Sequence, residues 1–228
     1  MLRLTPILLA VAYAIVMYRI SVWRTNRELD DRSTELADPD LRKLTDRLAR
    51  ALDLKHIPVY VYEIDPVNGL AAPDGRIFIT RGFYRKFRNG EVTGEEMVSV
   101  IAHELGHVAL GHARKRMIDF SGQNALRTVL VVLLGRFVPV IGPWIANALT
   151  SLLAARLSRG DEYEADEYAA ALLTKAGFGV EPQKSLFRKL DALTQQRSGM
   201  APAWLMSHPK TDERIAALEK LEQRWSKV

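Results

Sequence analysis

Cysteine is absent from this sequence. Its absence excludes a disulfide framework, a metal site built on thiolates and a lipid-modified N-terminal cysteine. It does not decide between the cytoplasm and an oxidising compartment. No internal repeat or low-complexity tract is visible either. Any metal site in this chain must therefore use nitrogen or oxygen ligands.

A nucleic-acid-binding motif is also missing, although the chain is basic. The formal net charge of +5 is spread over the sequence, with local clusters at 81–88 and 114–116. These clusters fit anionic lipid or solvent better than nucleic acid, so membrane lipid is an expected partner and nucleic acid is not. With 228 residues, 48% of them hydrophobic, the chain has room for one domain with a full core and a membrane segment.

Long hydrophobic runs are scarce. The uncharged N-terminal run from Leu4 to Tyr18 is shorter than the ~20 residues that a membrane span needs. Arg19 can extend towards the headgroups and Trp23 can lie at the interface, so residues 1–23 are predicted to form a transmembrane anchor. A cleaved signal peptide is the alternative, and it is disfavoured because no small-residue cleavage site follows the run.

The pattern HExxH is present at His103, Glu104 and His107. On a helix, histidines four residues apart face the same side, and the glutamate between them is close enough to act on a metal-bound water. Thr93 and Glu96 form a capping-box pattern that predicts the start of this helix. The combination indicates zinc hydrolase chemistry.

A catalytic zinc site needs a third protein ligand and an open position for water. His112 is one candidate, but on a continuous helix it would lie roughly 140° around the axis from His107. We therefore expect His112 to stabilise carbonyls at the helix end. Glu162 and Asp166 share one helical face, so that one can bind the metal while the other orients a ligand histidine.

Three motifs follow one another along the chain. They are HELGH at 103–107, SRGDEYEAD at 158–166, and Ser207-His208-Pro209 followed by Arg214-Ile215. In this order and spacing the chain resembles the gluzincin metallopeptidases that include the HtpX-like membrane peptidases and the CAAX prenyl endopeptidases. The resemblance covers most of residues 38–225.

The resemblance implies a role for each matching residue. It makes His103, His107 and Glu162 the ligands of one Zn²⁺ per chain. It makes Glu104 the general base, which takes a proton from the zinc-bound water, and Asp166 a carboxylate that supports a ligand. His208 and Arg214 are expected to act in catalysis by stabilising the oxyanion, because their side chains are of a suitable type. For His208 the alternative is a position near the helix cap ahead of Pro209.

A strand pair is predicted before the HExxH helix. The apolar runs around Leu70 and Ile77–Thr80 flank Asp74-Gly75, a common hairpin turn. The resemblance places the first strand beside the cleft and suggests that it binds a peptide substrate by strand addition. That strand comprises Asn68, Gly69, Leu70 and Ala71. An ordinary hairpin with no role in substrate binding is the alternative.

The sequence thus predicts an α+β fold, a mainly helical zincin-type domain with a small β-sheet, plus the N-terminal transmembrane helix. The expected organisation is an anchor at 1–23, a charged linker at 24–37 and a zinc metallopeptidase domain at 38–228. An apolar insert at 126–156 separates the two halves of the site. We expect a lipid-facing or cleft-covering helical insert there, with a partly inserted hairpin as the alternative.

The predicted function is that of a membrane-anchored zinc metalloendopeptidase for protein or peptide substrates, in quality control of membrane or envelope proteins. The alternatives are a non-catalytic, chaperone-like binding module that contains zinc and a prenyl-protein endopeptidase. Four arginines follow the apolar run, so the positive-inside rule places the domain in the cytoplasm. They are Arg19, Arg24, Arg27 and Arg32. A periplasmic or other extracytoplasmic location is the alternative. The sequence does not determine the oligomeric state.

Overall fold

The computed structural model describes residues 5–72, 74–112, 142–195 and 211–226, together with positions 115, 118, 126, 127 and 131. At 5–10, 142–158 and 191–195 it describes the backbone only. In chain order these residues form α1 (Thr5–Asp31), β1 (Ser33–Glu35), α2 (Pro39–Ala51), β2 (Val59–Tyr62), β3 (Gly69–Ala71), β4 (Ile77–Thr80), α3 (Arg81–Arg88), α4 (Gly94–Ala109), α5 (Gly142–Lys175), α6 (Glu181–Gln195) and α7 (Thr211–Trp225). The predicted combination of many helices with one small sheet is confirmed.

The apolar N-terminal segment lies within α1. Among the described residues, no helix is both long enough and apolar enough to cross a membrane. The transmembrane helix predicted at 1–23 is therefore not found in the structure. Large apolar side chains on this part of α1 are exposed, including those of Tyr13, Ile15 and Trp23.

The end of α1 packs against the sheet. The Tyr62 hydroxyl donates a hydrogen bond of 2.5 Å to Glu28, and Arg76 forms an ion pair of 2.6 Å with Asp30. Residues 24–37, expected to be a charged linker, instead contain the end of α1 and strand β1. Their charges suggested a solvated linker, but several of them pair with the sheet.

Four short strands form the sheet, in the order β1-β2-β4-β3. The central pair β2 and β4 is parallel, and β3 pairs antiparallel with β4, with Gly69 opposite Ile79 and Ala71 opposite Ile77. The predicted β3–β4 hairpin is therefore confirmed. Its turn contains Gly75 at φ +90°, a conformation that suits glycine. In the described part of the chain, β3 is an edge strand.

Helix α4 is the centre of the domain. Its predicted capping box is present: the Glu96 side chain accepts from the Thr93 N–H at 2.8 Å, and Thr93 Oγ1 accepts from the Glu96 N–H at 3.2 Å. Met97 and Ile101 are fully buried in the main hydrophobic core, where α4 packs against α2, the sheet, α5 and α6. The HExxH residues thus lie on the most enclosed helix of the described residues.

Helix α5 follows the segment that separates the two halves of the predicted site. It is one helix of 34 residues, and it includes both the end of the predicted insert 126–156 and the motif at 158–166. The structure does not describe residues 128–130 and 132–141 of that insert. Its predicted position against lipid or over the cleft therefore stays a prediction. Helix α6 packs against α4, and α7 packs against α5 and α6. This arrangement places α5 and α6 directly against α4, with α7 packed on both of them.

Candidate metal centre

The two histidines of the HExxH pattern converge on one point. Both side chains are buried, and the Nε2 atoms of His103 and His107 lie 3.1 Å apart. They converge because a spacing of four residues places both rings on the same face of α4. Each Nδ1 atom has a partner of its own, Asp166 for His103 and His112 for His107.

Helix α5 brings a carboxylate to the same point. Oε2 of Glu162 lies 3.4 Å from Nε2 of His103, and its Oε1 lies 3.4 Å from Nε2 of His107. The three side chains form a possible metal site. Gly106 permits this close crossing of α4 and α5, because a Cβ atom there would lie 3.0 Å from the Ala165 carbonyl oxygen.

The donor set fits zinc. Two imidazole nitrogens and one carboxylate oxygen, with a fourth position left for water, are typical of catalytic zinc sites. Tetrahedral ligands at about 2.0–2.1 Å from the ion lie about 3.3 Å from one another. The two Nε2 atoms lie 3.1 Å apart, and each lies 3.4 Å from a different oxygen of Glu162. With one donor atom taken from each residue, the three lie within 4.8 Å of one another, a spacing that can hold a metal of this size.

The buried charges also favour a bound cation. Glu104, Glu162 and Asp166 are each at most 2% exposed, and Arg214, at 1%, provides one guanidinium among them. Three carboxylates and one guanidinium leave two negative charges, which are costly away from water. A divalent ion neutralises them. Burial acts to lower the pKa of His103, but the carboxylates of Asp166 and Glu162 outweigh it and raise that pKa to about 9. A proton on His103 or a bound divalent ion would each offset part of this negative charge.

Asp166 holds His103 from the side opposite Glu162. Its Oδ1 lies 2.9 Å from Nδ1 of His103. Burial acts to raise the pKa of Asp166, but Arg214 and His103 outweigh it and lower that pKa to about 2. When Nε2 of His103 binds a metal with its lone pair, the ring hydrogen is on Nδ1, and the ionised carboxylate of Asp166 accepts a hydrogen bond from it. Asp166 therefore has the geometry of a residue that supports a ligand.

Arg214 lies behind the histidines. Its guanidinium donates to both oxygens of Asp166, at 2.6 and 2.7 Å, and lies over the Phe187 ring at 4.3 Å from the ring centre. It also lies 3.4 Å from Nδ1 of His103 and 3.7 Å from Glu162. These contacts put Arg214 on the Nδ1 side of His103. They favour a positioning role over the predicted contact with an oxyanion.

Strand β3 lies beside Glu104. A Cβ atom on Gly69 would lie 3.1 Å from Oε1 of Glu104 and 2.7 Å from the Val100 side chain, so the strand approaches α4 more closely than a larger residue allows. The structure thus brings the predicted substrate strand, Asn68 to Ala71, next to the predicted base. His208 lies outside the described residues.

His112 was misplaced by sequence reasoning. The prediction that it stabilises carbonyls at a helix end is wrong, because its ring is 2% exposed and its Nδ1 lies 3.0 Å from Nδ1 of His107. The angle calculated from the sequence assumed a continuous helix. In fact α4 ends at Ala109, and the chain turns at Gly111 with φ +71°. A glycine one residue before a histidine is the signal that could have indicated this turn.

The chain matches the sequence model of peptidase family M48 over residues 35–222. It is 30% identical to the metalloprotease LoiP of Escherichia coli over 193 residues, which cover 82% of this chain and 73% of LoiP. It is 27% identical to a protease HtpX homolog of Salinibacter ruber, over 95% of this chain and 88% of that protein. The chain spans about a third of the mitochondrial metalloendopeptidases OMA1 that it also matches.

A solved structure shows the same fold. The crystal structure of S. mikatae Ste24p superposes on 93% of this chain with a TM-score of 0.56, at 22% sequence identity. The aligned region is 56% of the Ste24p chain. The likeness therefore concerns the domain described above and leaves much of the larger protein without a counterpart.

Proposed function

This chain belongs to peptidase family M48 and is a zinc metalloendopeptidase, and on that premise we propose that His103, His107 and Glu162 hold one zinc ion per chain. The observation that supports this proposal is the convergence of their side chains, in which one donor atom from each residue lies within 4.8 Å of the other two. A zinc ion there supplies a Lewis acid and lowers the pKa of its bound water to about 7.

Glu104 is the proposed general base. Its carboxylate is buried beside the ligands, one residue after His103 on α4. In this role it accepts a proton from the attacking water and then donates that proton to the leaving amine. The presence of this residue favours an active enzyme over the alternative of a non-catalytic zinc-containing module.

The substrate is proposed to add to the edge strand β3 as an extended peptide. Thr80 N–H donates to the Asn68 carbonyl at 3.0 Å, and Ala72 N–H donates to the Arg76 carbonyl at 2.8 Å. Because bonded pairs alternate along an antiparallel ladder, the backbone groups of Gly69 and Ala71 point away from β4. Those of Ala71, which is partly exposed, are on the side where a strand could be added near Glu104, and main-chain hydrogen bonds there can hold a peptide of any sequence.

His208 is proposed to donate a hydrogen bond to the oxyanion of the tetrahedral intermediate. The support is its position in the late Ser-His-Pro motif and its side-chain type. Arg214 belongs to the same proposal as a positioning residue, since its guanidinium holds Asp166, and Asp166 holds His103.

A membrane context is proposed from α1. The exposed side chains of Tyr13, Ile15 and Trp23 give this helix an apolar surface that fits lipid. Arg24 and Arg27 follow that surface, so the domain is proposed to lie on the cytoplasmic side, where it cleaves membrane or envelope proteins for quality control. Digestion of the domain by protease added to intact spheroplasts would place it on the other side.

The Glu104→Gln variant tests the catalytic proposal. This variant should bind one zinc per chain, measured by metal analysis, and should lose hydrolysis of an unfolded protein substrate. Glu95, which is exposed on the same helix, provides the matched control. Glu95→Gln should retain both properties. Full hydrolysis by Glu104→Gln would remove Glu104 from its role as the base.

A further inference from the structure

The two histidines of the metal centre are supported in different ways. Nδ1 of His103 contacts a carboxylate, that of Asp166, at 2.9 Å. Nδ1 of His107 instead contacts another imidazole, that of His112, at 3.0 Å between the two Nδ1 atoms. The rings of His107 and His112 meet edge to face, with centres 5.2 Å apart and planes at 65°. The two proposed ligand histidines therefore differ in the group that orients the ring.

The contact between the two imidazoles fixes the hydrogens on both rings. When Nε2 of His107 donates its lone pair to a metal, the ring hydrogen is on Nδ1. His107 then donates to Nδ1 of His112, which must accept with its lone pair. The hydrogen of His112 is consequently on Nε2, where Oε2 of Glu164 lies 3.2 Å away and can accept it.

The surroundings of His112 match this arrangement. Asp161 Oδ1 lies 3.8 Å from Nε2 of His112 and accepts a hydrogen bond of 2.8 Å from Lys115. Acceptors thus surround Nε2, the atom that must donate. Gly111, with φ +71°, turns the chain after α4 so that His112 reaches the Nδ1 side of His107. The His112 ring is 2% exposed, so water is largely excluded from this contact.

We propose that His112 is a positioning residue for the metal centre. It fixes the tautomer and the ring orientation of His107, so that Nε2 of His107 faces the zinc with its lone pair. This inference rests on the proposed zinc site at His103, His107 and Glu162. The alternative is that His112 only fills space. In that case a variant that fills the space but has no acceptor at the Nδ1 position should bind zinc as the parent chain does.

The test compares His112→Asn with His112→Phe in the full chain. Asparagine places its Oδ1 near the position of Nδ1 and can accept from His107, whereas phenylalanine fills the space without an acceptor. His112→Phe should weaken zinc binding about 10- to 100-fold, measured by competition with a chelator. His112→Asn should stay within a few-fold of the parent chain. His56 is exposed, and His56→Asn is the matched control, which should bind zinc as the parent does.

A second readout reports the ligand geometry directly. Cobalt(II) in the same site absorbs in the visible range, and its bands depend on the coordination geometry. The cobalt spectrum of His112→Phe should differ from that of the parent, while His112→Asn and His56→Asn should retain the parent spectrum. Thermal unfolding with chelator present shows whether each variant is folded. If His112→Phe does not fold, His112→Gln replaces it, since glutamine keeps a polar group only near the Nε2 position.

Two results would overturn the proposal. One is parental zinc affinity with a parental cobalt spectrum in folded His112→Phe, or in His112→Gln where it replaces that variant. The other is an equal loss of affinity in His112→Asn and the variant without an acceptor, which would mean that any change of shape has the same effect. A parent chain that binds no zinc would instead overturn the proposed function, so the two failures are distinguishable.

Discussion

Oδ1 of Asp166 lies 2.9 Å from Nδ1 of His103, while Nε2 of the same ring lies 3.4 Å from Glu162. The His103 ring thus lies between two carboxylates: Glu162, which is expected to bind zinc, and Asp166, which contacts the opposite side of the ring. Asp166→Asn should lower zinc affinity about 10- to 100-fold, because the amide is a weaker acceptor for the Nδ1 hydrogen. Competition with a chelator measures this effect. Unchanged affinity would mean that Asp166 serves only to pair Arg214.

Glu162→Ala should abolish stoichiometric zinc binding, because it removes the ligand that α5 contributes. The matched control is Glu167→Ala, since Glu167 is exposed on the same helix. That variant should keep one zinc per chain by metal analysis. Full zinc occupancy in Glu162→Ala would exclude Glu162 from the ligand set.

Arg214→Met should destabilise the fold by about 3–5 kcal/mol, because it leaves the buried carboxylate of Asp166 without its cationic partner. The double variant Asp166→Asn/Arg214→Met should recover part of that loss, since the remaining amide is neutral. Chemical denaturation of the two single variants and the double variant measures the coupling. Additive losses would show that the bidentate pair seen at 2.6 and 2.7 Å contributes nothing of its own.

Ala71→Pro tests binding of a peptide to strand β3. Proline removes the N–H that points away from β4 and leaves the bonds of the hairpin in place, as edge strands tolerate. Hydrolysis should show a raised KM with unchanged zinc content. A parental KM in a folded variant would favour the ordinary hairpin with no substrate role.

The stability of the domain should depend on pH through Glu96. Burial acts to raise its pKa, but hydrogen bonds from Lys189, the Thr93 backbone and Ser185 outweigh it, and the pKa lies below the ordinary 4.5. A carboxyl with a lowered pKa stabilises the fold above its unfolded value and loses that contribution as the pH falls through the folded value. Glu96→Gln should therefore be less stable than the parent at pH 7, and the difference should shrink below about pH 4. Thermal unfolding with chelator present, which removes the effect of metal release, measures the difference.

Much of the site could be predicted from sequence because its signals are local. The HExxH spacing, the Thr93–Glu96 capping box and the Asp-Gly turn each involve a few neighbouring residues, and each prediction of local structure is confirmed. Local patterns also placed Glu162 and Asp166 on one face of a helix. Which ligand each residue contacts depends on how α5 crosses α4.

The features that sequence reasoning missed depend on tertiary packing. His112 reaches His107 only because the helix ends before Gly111, and Arg214 pairs with Asp166 only because α7 packs against α5. Glu28 and Asp30 pair with Tyr62 and Arg76, which lie in or beside strands more than 30 residues later in the chain. A periodic pattern within one segment carries no information about the distant segment that it contacts in the fold.

The proposed ligands come from two helices, and this division has a consequence for a chain that has no cysteine. Metal bonds to His107 and Glu162 would cross-link the ends of the segment 108–161, as a disulfide would. The entropy cost of closing such a loop grows only with the logarithm of its length, by about 0.6 kcal/mol for each doubling. A change in the length of the flexible part of this segment would therefore cost the metal centre little stability.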